Sequence, residues 1–322
     1  MGIKKFIKIC KMSQDQLKIY LNNELNKYYK NVVSQDGFIY VKGRDKLCLT
    51  AHMDTVHKEL IKDVELNKVK GKHIISSPQG IGGDDRCGIY MILKILEAGF
   101  RPTIVFCEDE EIGCVGSNKF TNTKFIKNLN KMYFLIELDR GGNKNVVFYD
   151  DANNDFHDFV LNTIGYEEEI GSYSDICELS PVCGISSVNI ACGYYKAHHL
   201  EEYVIFEEME SAIKKTIKLM KEGLKNKIRY EYIENKVTSF NKYNDYYDDW
   251  YDVPSKSKYI TGYICYDNGY GEKGEEEFDG FSVEEVFYQF FLKHQDISFS
   301  QITDYYLYDE NYNPVTPLLT AI

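Results

Sequence analysis

Five short stretches of this chain each end an apolar run in imidazole or carboxylate. LCLTAHMDTV carries His52 and Asp54, GIGGDDRCGIY carries Asp84 and Asp85, and IVFCEDEEIGCVGS carries Glu110 and Glu111. FLIELDRGG ends on Asp139, and KAHHLEEYV presents His198 and His199. Taken singly, each has an ordinary reading: a capping Asp pair before a helix, or a solvated acidic loop. Taken together they form an ordered set of oxygen and imidazole donors without cysteine, which suits zinc, cobalt or manganese. Two such ions side by side need a bridging carboxylate, terminal ligands on each side and a nearby base. Two His, two Asp and two Glu meet that stoichiometry.

The elements that must position these residues are legible in outline. Residues 12–29 predict a helix opened by a capping Ser. FIYVKG (38–43) and KLCLTAH (46–52), joined by a polar GRD turn, predict a hairpin, and polar-apolar alternation follows over 64–77. Helices are predicted over 85–99, ending at a glycine, and over 116–129, 153–164 and 206–225. Strands are predicted over 101–111, 131–139, 145–150 and 186–193. Apolar strands alternating with helices give an α/β fold, a mixed and mostly parallel sheet flanked by helices, and place the five stretches at strand ends.

The order and local context of these motifs resemble the dinuclear zinc peptidases, a clan that includes peptidase T, the desuccinylase of lysine biosynthesis, and the leucyl and tetrahedral aminopeptidases. AHMDTV is similar to the first-ligand motif, GGDDRCG to the bridging-Asp motif and CEDEEIGCVGS to the Glu-Glu motif. LIELDRGG is similar to the second-Asp motif. AHHLEEYV is similar to the final His motif, with its carboxylate four residues on. The resemblance covers roughly residues 38–225 and implies a zinc exopeptidase-like fold of the phosphorylase/hydrolase type.

It also implies roles. His52 and Asp139 hold one metal, His198 and Glu111 hold the other, and Asp84 bridges them. Asp54 orients His52, Glu110 is the general base, and Asp85 is a structural neighbour. His198 is preferred to His199 because Glu202 then falls at the four-residue offset. Ile112 and Val115, beside the Glu pair, are expected in the core. Only 32 positions separate His52 from Asp84, and 59 separate Asp139 from His198. Neither gap has room for the inserted lid of many relatives, so a lidless catalytic core is expected.

The implied activity is hydrolysis of amide bonds in small peptides, of aminopeptidase type, with two divalent ions. The alternatives are an N-acyl amino acid deacylase on the same core, or a non-catalytic binding protein that keeps the fold. A calcium surface fits less well because of the two His and the lack of an EF-hand loop.

Composition agrees with a soluble enzyme. The 322 residues are 43% hydrophobic and 27% charged, with a net charge of −12. That charge disfavours nucleic acid as a partner, and no apolar run is long enough to span a membrane. MGIKKFIKICKMSQDQ lacks the features of a signal peptide, and Phe6 stands where a myristoylation signal needs Ser or Thr. Nine cysteines without a CxxC spacing read as reduced thiols of a cytoplasmic protein, and Cys87 and Cys107 as buried small hydrophobes. Self-association is left open. Composition shifts near residue 236, which divides the chain into a catalytic domain, 1–235, and an acidic, Tyr-rich C-terminal module, 236–322. Strands and a helix are expected in that module; the alternative is a disordered tail.

Overall fold

The computed structural model describes residues 2–171, 173–235, 260–267, 273–280, 293 and 302–309. The chain divides into two compact units, Met1–Thr238 and Ser239–Ile322.

In chain order the first unit opens with α1 (Gly2–Cys10) and α2 (Gln14–Leu25), then β1 (Val32–Gln35), β2 (Phe38–Val41) and β3 (Asp45–His52). A hairpin of β4 (Glu65–Val69) and β5 (Lys72–Ser76) precedes α3 (Gly83–Glu97) and β6 (Pro102–Cys107). Next come α4 (Val115–Thr121), α5 (Ile126–Leu129), β7 (Leu135–Arg140), β8 (Asn145–Val147) and α6 (Asn154–Ile164). The unit closes with β9 (Glu167–Glu168), α7 (Asp175–Cys183), β10 (Ser187–Ala191), β11 (Tyr194–Tyr195), β12 (Tyr203–Ile205) and α8 (Phe206–Asn226).

Eight strands form one sheet in the order β1-β2-β6-β3-β7-β10-β8-β9. Its central four, β6, β3, β7 and β10, run parallel, while β1, β2 and β8 pair antiparallel at the flanks. The central strands are apolar along nearly their whole length because both faces are covered. Helices α3 and α8 pack on one face. There Gly223 lets α8 approach so closely that a Cβ would meet the Phe134 ring at 2.5 Å. Side chains alternate along β7, so Glu137 and Asp139 face the other side, where α7 packs and Ser174 donates to Asp139.

The hairpin predicted between 38–43 and 46–52 does not form. Strand β6 lies between β2 and β3, antiparallel to the first and parallel to the second. The hairpin partner of β2 is β1, across Asp36 and Gly37. Gly43 permits the crossing: a Cβ there would lie 2.1 Å from the Arg101 carbonyl oxygen, so only glycine lets the chain pass the start of β6. The helix predicted over 116–129 is two helices, α4 and α5. Between them Asn122 and Thr123 turn their side chains back to the carbonyls of Asn118 and Phe120.

The 206–225 helix appears as α8, and Ser13 caps α2 in a full capping box with Gln16. No disulfide joins any of the nine cysteines, and Cys87 and Cys107 are fully buried. Among the described residues no helix is long and apolar enough to cross a membrane.

The hairpin β4–β5 joins β12 and β11 in a second, four-stranded sheet, and so fills the interval between His52 and Asp84. The second unit contains β13 (Ile260–Asp267), β14 (Lys273–Gly280) and β15 (Ile302–Asp309), an antiparallel sheet with β13 in the middle. Most of the helix expected there, and the whole Tyr-rich stretch 241–259, lie outside the described residues.

Candidate metal centre

The parallel strands all present their carboxyl ends to one rim, and the five motifs meet there. β3 ends on His52, β7 carries Asp139, and the turn after β6 carries Glu110 and Glu111. Asp84 opens α3, and His198 lies on the loop between β11 and β12. Convergence at the carboxyl ends of parallel strands is the usual place for a site in an open α/β sheet.

Asp84 sits in the middle. Its Oδ1 lies 2.9 Å from His52 Nε2, and its Oδ2 lies 3.4 Å from His198 Nε2. His52 Nε2 is also 3.6 Å from Asp139 Oδ1 and 3.9 Å from Glu110 Oε2, while His198 Nε2 is 3.1 Å from Glu111 Oε2. One carboxylate therefore faces two imidazoles, each with its own acid beside it. His199 makes no such approach: its backbone N–H donates to the Lys196 carbonyl, closing a turn.

Asp54 ties two of the motifs together. Its Oδ1 lies 3.1 Å from His52 Nδ1 and accepts the Glu110 N–H, and its Oδ2 accepts the Glu111 N–H. Asp85 is occupied by backbone, accepting the N–H groups of His52 and Gly88. Arg86 is buried beside them, but its N–H groups go to the carbonyls of Met53 and Met12.

Several supporting residues carry no recognisable sequence signal. Asn189 clamps the Asp139 backbone, accepting its N–H and donating to its carbonyl oxygen. Ser174 and Tyr194 donate hydroxyls to Asp139. Glu137 and Asp175 are buried on the same face, below the rim. Ile112, expected in the core, is 71% exposed on the turn after Glu111, and Val115 is half-buried. Gly113 follows with a positive φ of 103°.

The electrostatics are those of an acid cluster in want of cations. Burial raises the Glu110 carboxyl well above the usual range, and Asp139, Asp175 and Glu111 add to it, with His52 opposing. Burial and the Asp84 charge push Asp139 up to about 7. Burial also raises Asp85, with Asp139 contributing. Burial alone would depress His52, yet Asp139 and Asp54 together hold it well above its ordinary value. Hydrogen bonds to Asp84 and Glu111 raise His198 to about 11. Burial would raise Asp84 too, but His198 and His52 outweigh it and hold it well below the usual carboxylate range.

The residues fit a divalent cation. Glu111 Oε1 is buried without a hydrogen-bond partner, and a buried carboxylate oxygen of that kind calls for a cation. Donor atoms of Asp84, Glu111 and His198 lie within 4.8 Å of one another, as do those of His52, Glu110 and Glu111. The hard oxygen and imidazole set matches zinc, cobalt or manganese.

No protein-family model and no curated protein sequence matches the chain. Solved structures do. The aminopeptidase PepT from Bacillus cereus aligns at TM-score 0.54 with 13% identity, over 69% of this chain and 97% of that one. A tripeptidase from Staphylococcus aureus gives 0.55 with 13% identity, over 70% and 98%. An aminopeptidase from the archaeon Desulfurococcus kamchatkensis gives 0.53 with 13% identity, over 68% and 95%. This chain has their fold. At such identity the likeness is one of architecture, and the argument for chemistry rests on the rim residues themselves.

Proposed function

We propose that the chain is a metal-dependent exopeptidase of aminopeptidase type, acting on small peptides through a two-metal centre. The observation that carries this reading is the single carboxylate of Asp84 set between His52 and His198. In this reading His52 and Asp139 hold one dication, His198 and Glu111 hold the second, and Asp84 is shared. Zinc is the first choice, with cobalt or manganese as substitutes. When bound, the ions polarise the scissile carbonyl and lower the pKa of water at the site.

The remaining work falls to the chain's own side chains. Asp54 accepts the Nδ1–H of His52, which fixes the tautomer and leaves Nε2 to face the site. Glu110 is the carboxylate left over as base. Its backbone N–H is held by Asp54, and its Oε1 accepts a thiol hydrogen bond from Cys114 at 3.5 Å. It takes the proton from the attacking water and returns it to the departing nitrogen. In this reading the first 235 residues form the catalytic domain, without a lid.

A dipeptide library tested alongside N-acyl amino acids, with and without added zinc, checks the reading. Release of the amino-terminal residue from free peptides supports it. Hydrolysis confined to N-acyl amino acids would transfer the site to deacylation.

A further inference from the structure

Glu202 is fully buried, and its carboxylate lies behind the Asp84 turn. Oε1 accepts the Asp84 N–H at 3.0 Å, and Oε2 accepts the Gly82 N–H at 2.8 Å. The second oxygen also lies 2.8 Å from His57 Nε2, and the His57 side chain is only 6% exposed. His57 comes from the loop that follows His52, and Glu202 from the loop that follows His198. Three of the five ligand-bearing segments are therefore joined at one carboxylate.

The glycines of the turn are shaped to this contact. Gly80 and Gly82 both have positive φ, at +80° and +60°. A Cβ on Gly80 would lie 2.2 Å from His57 Nδ1, so the imidazole ring packs directly on the turn's backbone. The contacts of His57 and Glu202 are with the backbone of the turn and with each other, while the Asp84 carboxylate meets His52 and His198.

We infer that His57 and Glu202 are positioning residues: a buried clip that sets the shared carboxylate of Asp84 between the two imidazoles. The inference rests on the two-metal reading, and it gives a part to Glu202, otherwise only a spacing marker for His198, and to His57, which that reading leaves out. The backbone of the turn carries no charge of its own to hold Asp84 in place. A carboxylate that satisfies two of its N–H groups, and is itself held by an imidazole, supplies that fixation. Outer hydrogen-bond partners of metal ligands commonly govern affinity by about 10–100-fold.

The test uses the full-length chain with His57→Phe, His57→Gln and Glu202→Gln. His57→Phe keeps a ring on Gly80 and removes the nitrogen. His57→Gln restores a donor near the Nε2 position. Two readouts are taken: amide hydrogen exchange of the 80–84 turn in metal-free protein, and zinc affinity by competition with a chelating dye. For His57→Phe and Glu202→Gln the expected results are faster exchange at Gly82 and Asp84 and zinc binding weakened about 10–100-fold. kcat should fall at unchanged KM, and His57→Gln should recover most of what His57→Phe loses in each readout.

Unchanged exchange and unchanged zinc affinity in His57→Phe and Glu202→Gln would overturn the clip, as would a lowered melting temperature with zinc affinity intact. If the unsubstituted chain binds no zinc, the two-metal reading fails by itself. The exchange measurement then still decides whether His57 and Glu202 hold the turn.

Discussion

The two halves of the rim are built from different material. His52 and Asp139 stand on the ends of neighbouring parallel strands, and the His52 side chain is 1% exposed. Glu111 and His198 stand on turns, and the His198 side chain is 56% exposed. Strand ends are fixed by their ladders and by the residues packed around them: Asn189, Ser174 and Tyr194 all bear on Asp139. His198 is held chiefly by the ionic neighbours it meets, Glu111 and Asp84. The contrast teaches that both members of the first half are held by packing, whereas in the second Glu111 is buried and tied to Asp54 and only His198 is placed by charge, with Asp84 as the common member. In the two-metal reading, the first half binds its ion tightly and the second binds weakly.

The largest expected effect lies outside both halves. Glu110→Gln should lower kcat by about 10²–10⁴-fold, the usual range for a general base, with metal content unchanged. Steady-state kinetics beside metal analysis checks this, and full activity in that variant would remove Glu110 from its role.

Next come matched substitutions in the two halves. His198→Ala should lose one ion per chain and most activity while leaving the melting temperature nearly in place, because the residue is exposed. His52→Ala should lose the tight ion and also lower the melting temperature, because it leaves Asp139 and Asp54 buried without an imidazole. Equal effects from the two would erase the distinction between the two halves.

A smaller effect is the pH dependence of the metal-free chain. Asp139, Glu110 and Asp85 are held above their ordinary values when folded. The folded chain therefore binds more protons than the unfolded one between the ordinary carboxyl range and about 7 for Asp139. Stability is greatest below that window and falls as pH rises through it. The melting temperature of metal-free protein should drop from about pH 5 to about pH 8 by a few degrees, and zinc should remove most of the drop. A metal-free melting temperature that rose over this range would contradict the buried acid cluster.

The smallest effect is on the turn after Glu111. Ile112→Ala should change stability by no more than about 0.5 kcal/mol in thermal unfolding, since the side chain is exposed.

The same contrast governs what could be read from the sequence. Residues at strand ends announce themselves, because an apolar run stops on a polar residue: His52, Asp139 and the Glu110–Glu111 pair are of this kind. Strand order was less legible. The crossing at Gly43 depends on the close approach of two backbones, and no periodicity records that, so a local hairpin was expected in place of the insertion of β6. Helix α7 follows Ser174 and contains Pro181, and its pattern is not legible in the sequence, although it carries buried Asp175 below the site. His57 meets the Glu202 carboxylate and Asn189 the Asp139 backbone, partners far away in sequence that only the folded arrangement reveals. Ile112 shows the reverse: its apolar character predicts the core, but on the turn after Glu111 it is exposed.

The central claim is that two dications sit on either side of Asp84. Its most direct test is metal analysis of the purified chain during stepwise titration with a chelator. The account predicts two divalent ions per chain, released in two separated steps, with the first step absent in His198→Ala. No bound divalent ion under any loading condition, or one ion that His198→Ala leaves untouched, would contradict it.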